Sequence, residues 1–171
     1  MLSEWFGITR NKKEYETLKN LEDGKPQFRI GESHSHYLLV KPLYRPHDQC
    51  QDYWDGNWVN SQIIIRVGGF HGNITASLRT DEFLRFKEEL SKLYSTLKGR
   101  ASFLSMEEWL TIHVEGDGLG HFEAECVVID EVGTGNRLQF HLNFDQTDLP
   151  GIIKGLEGIL HDFPVRGRTE A

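Results

Sequence analysis

The clearest pattern in the chain is an alternation of apolar and polar residues between positions 57 and 79. The odd-numbered positions from Val59 to Val67 are apolar except for Ser61, and their neighbours are mostly polar. After Gly68-Gly69 the alternation resumes, with apolar residues at even-numbered positions as far as Leu78. A repeat of two is typical of a strand with one buried face, and a glycine pair favours a tight hairpin turn. We therefore predict a strand, a turn and a second strand.

A helix is predicted directly after this hairpin. Thr80 is a suitable N-cap residue, and Asp81 and Glu82 lie in the first turn, where the helix dipole favours acids. Apolar residues then recur at steps of three and four, which indicates an amphipathic helix that Gly99 ends. These residues are Phe83, Phe86, Leu90, Leu93 and Leu97.

Three further strands and a second helix complete the predicted elements. Each strand has its apolar residues at even-numbered positions: Leu110, Ile112 and Val114; Phe122, Ala124, Cys126 and Val128; Leu138, Phe140, Leu142 and Phe144. The second helix has Pro150 near its start and apolar residues at helical spacing, namely Leu149, Ile152, Ile153, Leu156, Ile159, Leu160 and Phe163. The order of strands, helix, strands, helix predicts an α+β fold, an antiparallel β-sheet with two amphipathic helices packed on its apolar face.

The length of 171 residues suits a single domain spanning 1–171. Residues 1–27 show no clean period and are predicted to be a loosely packed lead-in with a short helix near Glu14–Leu21, ahead of an α+β core over 28–165. Tyr37–Val40 is predicted to be a strand, and the stretch from Pro42 to Asp52 is predicted to be a loop.

The same alternation predicts which side chains point away from the core. In the last three strands these are Thr111, His113 and Glu115; His121, Glu123 and Glu125; and Gln139, His141 and Asn143. If the first hairpin closes tightly, Glu115 faces His121 and His113 faces Glu123, and the next hairpin places Glu125 beside His141. We expect an outer surface rich in carboxylates and imidazoles and without a cation of fixed charge.

Three interpretations of that surface stay open. It is a solvated sheet face with no role, a partner-binding face, or a metal or acid–base catalytic site, since His and Glu bind zinc and transfer protons. The last ranks lowest because a flat face lacks the concavity that excludes water from a catalytic pocket.

The charge distribution favours the partner-binding interpretation. The net charge is −7, and residues 101–136 contain eight acids and no Lys or Arg. Such a surface repels phosphate, so we expect a basic protein partner rather than nucleic acid. No apolar run is long enough for a membrane span, and the acidic N-terminus does not resemble a signal peptide. Because the chain has two cysteines, Cys50 and Cys126, we expect a thiol-reduced, cytoplasmic protein. Pairing of edge strands between copies stays open.

A dense aromatic cluster precedes the first long strand. Tyr53-Trp54-Asp55-Gly56-Asn57-Trp58 contains a turn signal flanked by two tryptophans. Either both tryptophans anchor the strand to the core, or they form an exposed hot spot beside an acid. The candidate partner-binding residues are therefore Glu115, Asp117, Glu123, Glu125, His113, His121, His141, Trp54, Asp55 and Trp58.

Signals for a metal, a cofactor or a nucleophile are weak. His34-Ser35-His36 offers two imidazoles, with a third ligand available from His47, Asp48, Cys50 or Asp52, but the spacing matches no specific zinc pattern. Cys126 is at a core-facing position, and Cys50 lies in a polar loop where the only nearby base is His47. We expect no metal, no cofactor and no catalytic residue.

Four short motifs resemble a known bacterial family. They are Tyr53-Trp54-Asp55-Gly56-Asn57-Trp58, Gly68-Gly69-Phe70-x-Gly72, Glu107-x-Trp109-Leu110 and Gly133-Thr134-Gly135-Asn136. Together they resemble the WapI-like immunity proteins over roughly residues 53–167. The resemblance implies a cytoplasmic antidote to a wall-associated or contact-delivered toxin, many of which are nucleases. It implies stoichiometric inhibition by binding and supplies no catalytic residues.

Overall fold

The structure, a computed structural model, describes residues 24–168 and contains eight strands and two helices in that range. The first antiparallel sheet has the order β1-β2-β3-β4, formed by β1 (Phe28–Ser33), β2 (His36–Tyr44), β3 (Trp58–Val67) and β4 (Phe70–Arg79). The second has the order β5-β6-β7-β8, formed by β5 (Lys98–Leu104), β6 (Leu110–Asp117), β7 (His121–Ile129) and β8 (Arg137–Asp145). Helix α1 (Thr80–Thr96) follows the first sheet, and α2 (Leu149–Asp162) follows the second.

The predicted α+β class is confirmed, and the strands divide into two sheets of four. Most of the predicted lead-in, with its short helix near Glu14–Leu21, falls outside the described residues. Within 24–168, neither helix combines the length and the apolar character that a membrane span requires.

The first sheet confirms the predicted hairpin and corrects the predicted loop. Val67 pairs with Phe70 across the Gly68-Gly69 turn, and the register continues without a break to Trp58 and Arg79. Pro42 was expected in a loop but lies inside β2. The pairing with β3 shifts between Pro42 and Tyr44. Such an irregularity accommodates a residue that has no N–H to donate to the ladder.

Both ends of α1 differ from the prediction by a few residues. The N-cap is Arg79 rather than Thr80, because the Thr80 hydroxyl donates instead to Asn57 Oδ1 at 2.6 Å. The helix ends at Leu97, which adopts a left-handed conformation (φ 57°). Gly99 therefore belongs to β5, a strand that the apolar pattern did not reveal because only Ala101 and Phe103 point inward from it.

The core lies between the sheets and the two helices. The predicted inward residues of β6, β7 and β8 are buried or packed against this core. Four phenylalanine rings connect the two sheets. Phe28 of β1, Phe83 and Phe86 of α1, and Phe103 of β5 have ring centroids 5.3–6.4 Å apart. Since β1 and β5 belong to different sheets, this cluster lies in a core that the two sheets and α1 share.

Two glutamates of α1 bind the open edge of β5 and the loop that follows it. Glu89 Oε2 accepts the Ser102 N–H at 2.7 Å, and Glu82 Oε1 accepts the Met106 N–H at 2.7 Å. Glu82 Oε2 also accepts the Arg79 N–H at 3.0 Å, which closes the first turn of α1. Glu82 therefore joins the start of the helix to the second sheet.

Burial raises the pKa of Glu82 to about 7, although the backbone N–H groups of Arg79 and Met106 oppose the shift. Desolvation penalises the charged carboxylate more than these two hydrogen bonds stabilise it. The folded protein thus binds an extra proton between pH 4.5 and about 7, and its stability falls as the pH rises through that window.

The Glu82→Gln variant tests this linkage. In the native chain the Glu82 contribution to the unfolding free energy falls by up to about 3 kcal/mol between pH 4.5 and 7.5. The unfolding free energy of the variant should lack this pH-dependent contribution. Because the Gln side chain has one acceptor oxygen, one of the two N–H groups loses its partner, and the variant should be less stable than the native chain at low pH. Urea unfolding at intervals of one pH unit measures the slope. Glu88→Gln, at an exposed position of the same helix, is the matched control and should keep the native slope.

Candidate functional site

The outer surface of the second sheet carries the predicted polar residues. The side chains of Thr111, His113, Glu115, His121, Glu123, Glu125, Gln139, His141 and Asn143 are exposed or half-buried, and they alternate with buried neighbours. Strand β5 adds Arg100, Ser102 and Leu104, and the far ends of β7 and β8 add Val127, Ile129 and Arg137. We call these fifteen positions the outer face.

The pairing across the first hairpin differs from the prediction by two residues. Glu115 faces Glu123 rather than His121, and His113 faces Glu125 rather than Glu123. Gly116 pairs with Phe122, so the turn has the expected length but is centred on Leu119, one residue further along the chain than predicted. The predicted neighbours Glu125 and His141 do face each other.

Asp117 and two glycines stabilise this turn. The Asp117 carboxylate accepts the N–H groups of Leu119 at 2.6 Å and His121 at 3.2 Å. Its Oδ2 lies 3.0 Å from His121 Nδ1. The N–H of Leu119, followed by the His121 ring, lowers the pKa of Asp117. Gly118 and Gly120 both have positive φ, which the turn requires.

Each glutamate of the outer face already has a partner, and one of these partners corrects an expectation. The face does contain a fixed cation, because Arg100 Nε donates to Glu115 Oε1 at 2.9 Å. Glu123 Oε1 lies 3.4 Å from His141 Nδ1, and Glu125 Oε1 accepts from Gln139 Nε2 at 2.6 Å. Exposed pairs of this kind contribute about 0–1 kcal/mol each. They are therefore weak enough to exchange for contacts with a partner.

A shallow depression of about 320 Å³ interrupts the outer face. It is lined by Glu108, Thr111, His113, Glu125, Val127, Ile129 and Arg137. The His113 ring is fixed by a 2.8 Å contact between its Nδ1 and Ser102 Oγ. The sequence pattern implied a flat face, whereas the structure shows that this depression interrupts it.

The two tryptophans of the aromatic cluster differ in exposure. Trp54 is 61% exposed, whereas Trp58 is half-buried at the start of β3. Arg79, only 1% exposed, lies over the rings of Tyr53, Trp54 and Trp58 at 5.1–5.6 Å from their centroids. Its guanidinium donates to the carbonyls of Trp54 and Tyr53 at 2.7 and 2.8 Å. Trp58 is therefore a packing residue, while Trp54 presents its ring to solvent from a fixed backbone.

Asn57 ties this cluster to the C-terminal segment. Its Nδ2 donates to the carbonyls of Tyr53 and Arg166, both at 2.8 Å. Its Oδ1 accepts from the Thr80 hydroxyl at 2.6 Å and from the Arg166 N–H at 2.8 Å. The Asp-Gly-Asn motif predicts a turn, but it gives no indication that its asparagine is fully buried. Nor does the sequence distinguish Arg79 from an exposed strand-end arginine.

Possible metal ligands do not assemble as the sequence proposed. His34 and His36 lie at the β1–β2 hairpin, at the opposite end of β2 from Cys50. Within residues 24–168, the one group with three ligand atoms all within 4.8 Å of one another is Cys50, Asp52 and Asp55, which contains no histidine. Asp52 Oδ1 already accepts the N–H groups of Trp54 and Asp55 at 2.8 Å. Cys126 is buried as predicted, and burial raises its pKa to about 12.

The immunity protein WapI-like family matches residues 29–164. The chain belongs to this family. The match begins in β1 and ends just after α2, so it also covers β1 and β2, which the sequence motifs did not reach. Membership of a WapI-like immunity protein family indicates a toxin-neutralising binding role.

Other comparisons add little. No curated protein matches the chain. A chain in the crystal structures of Trypanosoma brucei MRP1/MRP2 has a TM-score of 0.46 and 12% sequence identity, with coverage of 94% of this chain and 98% of that one. Similarity at this level supports no functional assignment.

The Asn57→Ala variant of this WapI-like protein should be strongly destabilised. The substitution removes four hydrogen bonds and leaves buried partners unsatisfied, so we expect the unfolding free energy to fall by about 2–4 kcal/mol. Urea unfolding measures the loss, and tryptophan emission reports the release of Trp54. The control is Asn60→Ala in β3, which removes two hydrogen bonds to the side chains of Tyr44 and Ser77 and should cost under about 1 kcal/mol. Equal losses in the two variants would contradict the role assigned to Asn57.

Proposed function

We propose that this WapI-like protein neutralises a cognate protein toxin by binding it, without catalysis, through the outer face of the second sheet. The observation that carries the proposal is that carboxylates on neighbouring strands are presented together to solvent. The side chains of Glu115 and Glu123 face each other and are 59% and 60% exposed. Glu125 lies on the same side of β7 as Glu123, two residues further along the strand.

The charge of this region supports a basic partner. Eight acids and no Lys or Arg occur in residues 101–136, while Arg100 and Arg137 are the two fixed cations of the outer face itself and Lys98 is exposed at the end of β5. An excess of negative potential accelerates encounter with a positive surface and disfavours phosphate. A toxin that cleaves nucleic acid needs a basic cleft for its substrate, and we propose such a cleft or a patch beside it as the contact.

A second contact is proposed at the aromatic cluster on the first sheet. Trp54 and Asp55 are exposed next to each other, and the Trp54 main chain is fixed at its N–H by Asp52 and at its carbonyl by Arg79. An aromatic side chain on a rigid support loses little entropy on binding and is a typical hot-spot residue. In this proposal Trp58 supports the contact by packing against Arg79 and does not touch the toxin itself.

The proposal is tested with the gene neighbourhood. We expect the adjacent gene to encode a large secreted repeat protein whose small C-terminal domain is the toxin. Co-expression of that domain with this chain should give a stoichiometric complex and restore growth of the host. A domain that is toxic, well folded and not bound by this chain would contradict the proposed function.

Charge reversal at Glu123 and Glu125 tests the acidic surface. The double variant Glu123→Lys, Glu125→Lys should bind the toxin domain at least tenfold more weakly, mainly through slower association and with a reduced dependence on salt. Kinetic binding measurements at two or more ionic strengths separate the effects. Stability should change little, because Glu123 is exposed, Glu125 is half-buried, and both side chains are weakly paired.

The matched control is Glu157→Lys on the exposed side of α2. This variant has the same type of charge change on a different surface, and its binding should be nearly native. If the double variant also binds like the native chain, the outer face is not the toxin contact.

A further inference from the structure

The outer face changes in character along the strands. The end next to the turn around Asp117 is polar and charged, with Glu115 and Glu123 facing each other. At the opposite end, Thr111 of β6 pairs with Leu104 on one side and with Val127 on the other, and Ile129 follows on the same side of β7. Carboxylates and apolar side chains thus occupy the two halves of one continuous surface.

The depression lies where these two halves meet. Val127 and Ile129 are the two apolar residues of its lining. The other lining residues are polar or charged: Glu108, Thr111, His113, Glu125 and Arg137. Its volume of about 320 Å³ is at the lower limit of small-molecule pockets, which span about 300–1,000 Å³. An open hollow of this size accommodates a large side chain of a protein partner.

Two charged groups of the lining have no side-chain partner in the part of the chain that the structure describes. Within residues 24–168, neither the Glu108 carboxylate nor the Arg137 guanidinium makes a hydrogen bond or ion pair with another side chain. Both are therefore available to a bound protein, Glu108 for a cation and Arg137 for a carbonyl oxygen. Leu104, beside the depression, is a large apolar side chain that is 52% exposed. Exposed Leu104 and half-buried Val127 and Ile129 thus lie among polar neighbours, a combination typical of interaction sites.

We propose that this depression determines the lifetime of the toxin complex and that it receives an apolar side chain of the toxin, flanked there by basic residues. The inference rests on the proposed function and divides the outer face into two roles. The acids steer the encounter and set the association rate, because charges at the edge of an interface act mainly on approach. The depression sets the dissociation rate through Val127 and Ile129, because desolvated central contacts dominate the strength of an interface.

The Val127→Glu variant separates these roles, because it adds an acid while removing an apolar wall. If charge alone determined binding, the variant would bind a basic toxin as well as the native chain or more tightly. The inference instead predicts roughly thirtyfold weaker binding or more, through faster dissociation. The probe is the purified toxin domain that we expect the adjacent gene to encode. Leu104→Ser is a second variant of the same surface and should also accelerate dissociation.

The matched control is Leu119→Glu, which makes a similar substitution at an 82% exposed residue in the turn at the charged end of the same sheet. Its dissociation rate should remain native. Circular dichroism and thermal unfolding check that all three variants are folded. If folded Val127→Glu or Leu104→Ser dissociates at the native rate, or if Leu119→Glu dissociates as fast as they do, the inference is overturned while the proposed function stands. If the native chain does not bind the domain, the proposed function and this inference are both wrong.

Discussion

The burial of alternate side chains in β6, β7 and β8 is the constraint on which the candidate site depends. Each inward residue of these strands packs in or against the core, and a fully buried large apolar side chain stabilises the fold by about 1.5–3 kcal/mol. Moving one strand by a single residue would expose its apolar set and bury its glutamates and histidines. No exposed ion pair of the outer face, at about 0–1 kcal/mol, competes with that cost. The carboxylates lie outward together because their chain neighbours are held inward.

The local alternation was enough to predict which side of each strand faces outward, but not which residues face each other. Glu115 and His113 have the predicted orientation and different partners, because the turn stabilised by Asp117 is centred one residue further along the chain than predicted. Alternation is a property of one segment, whereas register depends on the turn that joins two segments.

Features that depend on distant parts of the chain were not predictable from the sequence pattern. Arg100 reaches Glu115 only because β5 pairs with β6, and β5 has too few inward apolar residues to give a periodic signal. Arg79 and Asn57 are polar residues whose burial is explained by partners far along the chain, including Arg166. A buried polar network stabilises a fold only when its members are satisfied together, and no short window of sequence contains that information.

The two glutamates of α1 that bind β5 and its following loop also affect how copies of this chain meet. A strand at the edge of a sheet presents unpaired N–H groups that recruit a strand from another molecule. On β5 the Ser102 N–H is taken up by Glu89, and just beyond the strand the Met106 N–H is taken up by Glu82. An incoming strand would have to displace both carboxylates and the helix that carries them. The second sheet is thereby protected on this side against extension into an intermolecular β-ladder, and against the aggregation that such extension initiates.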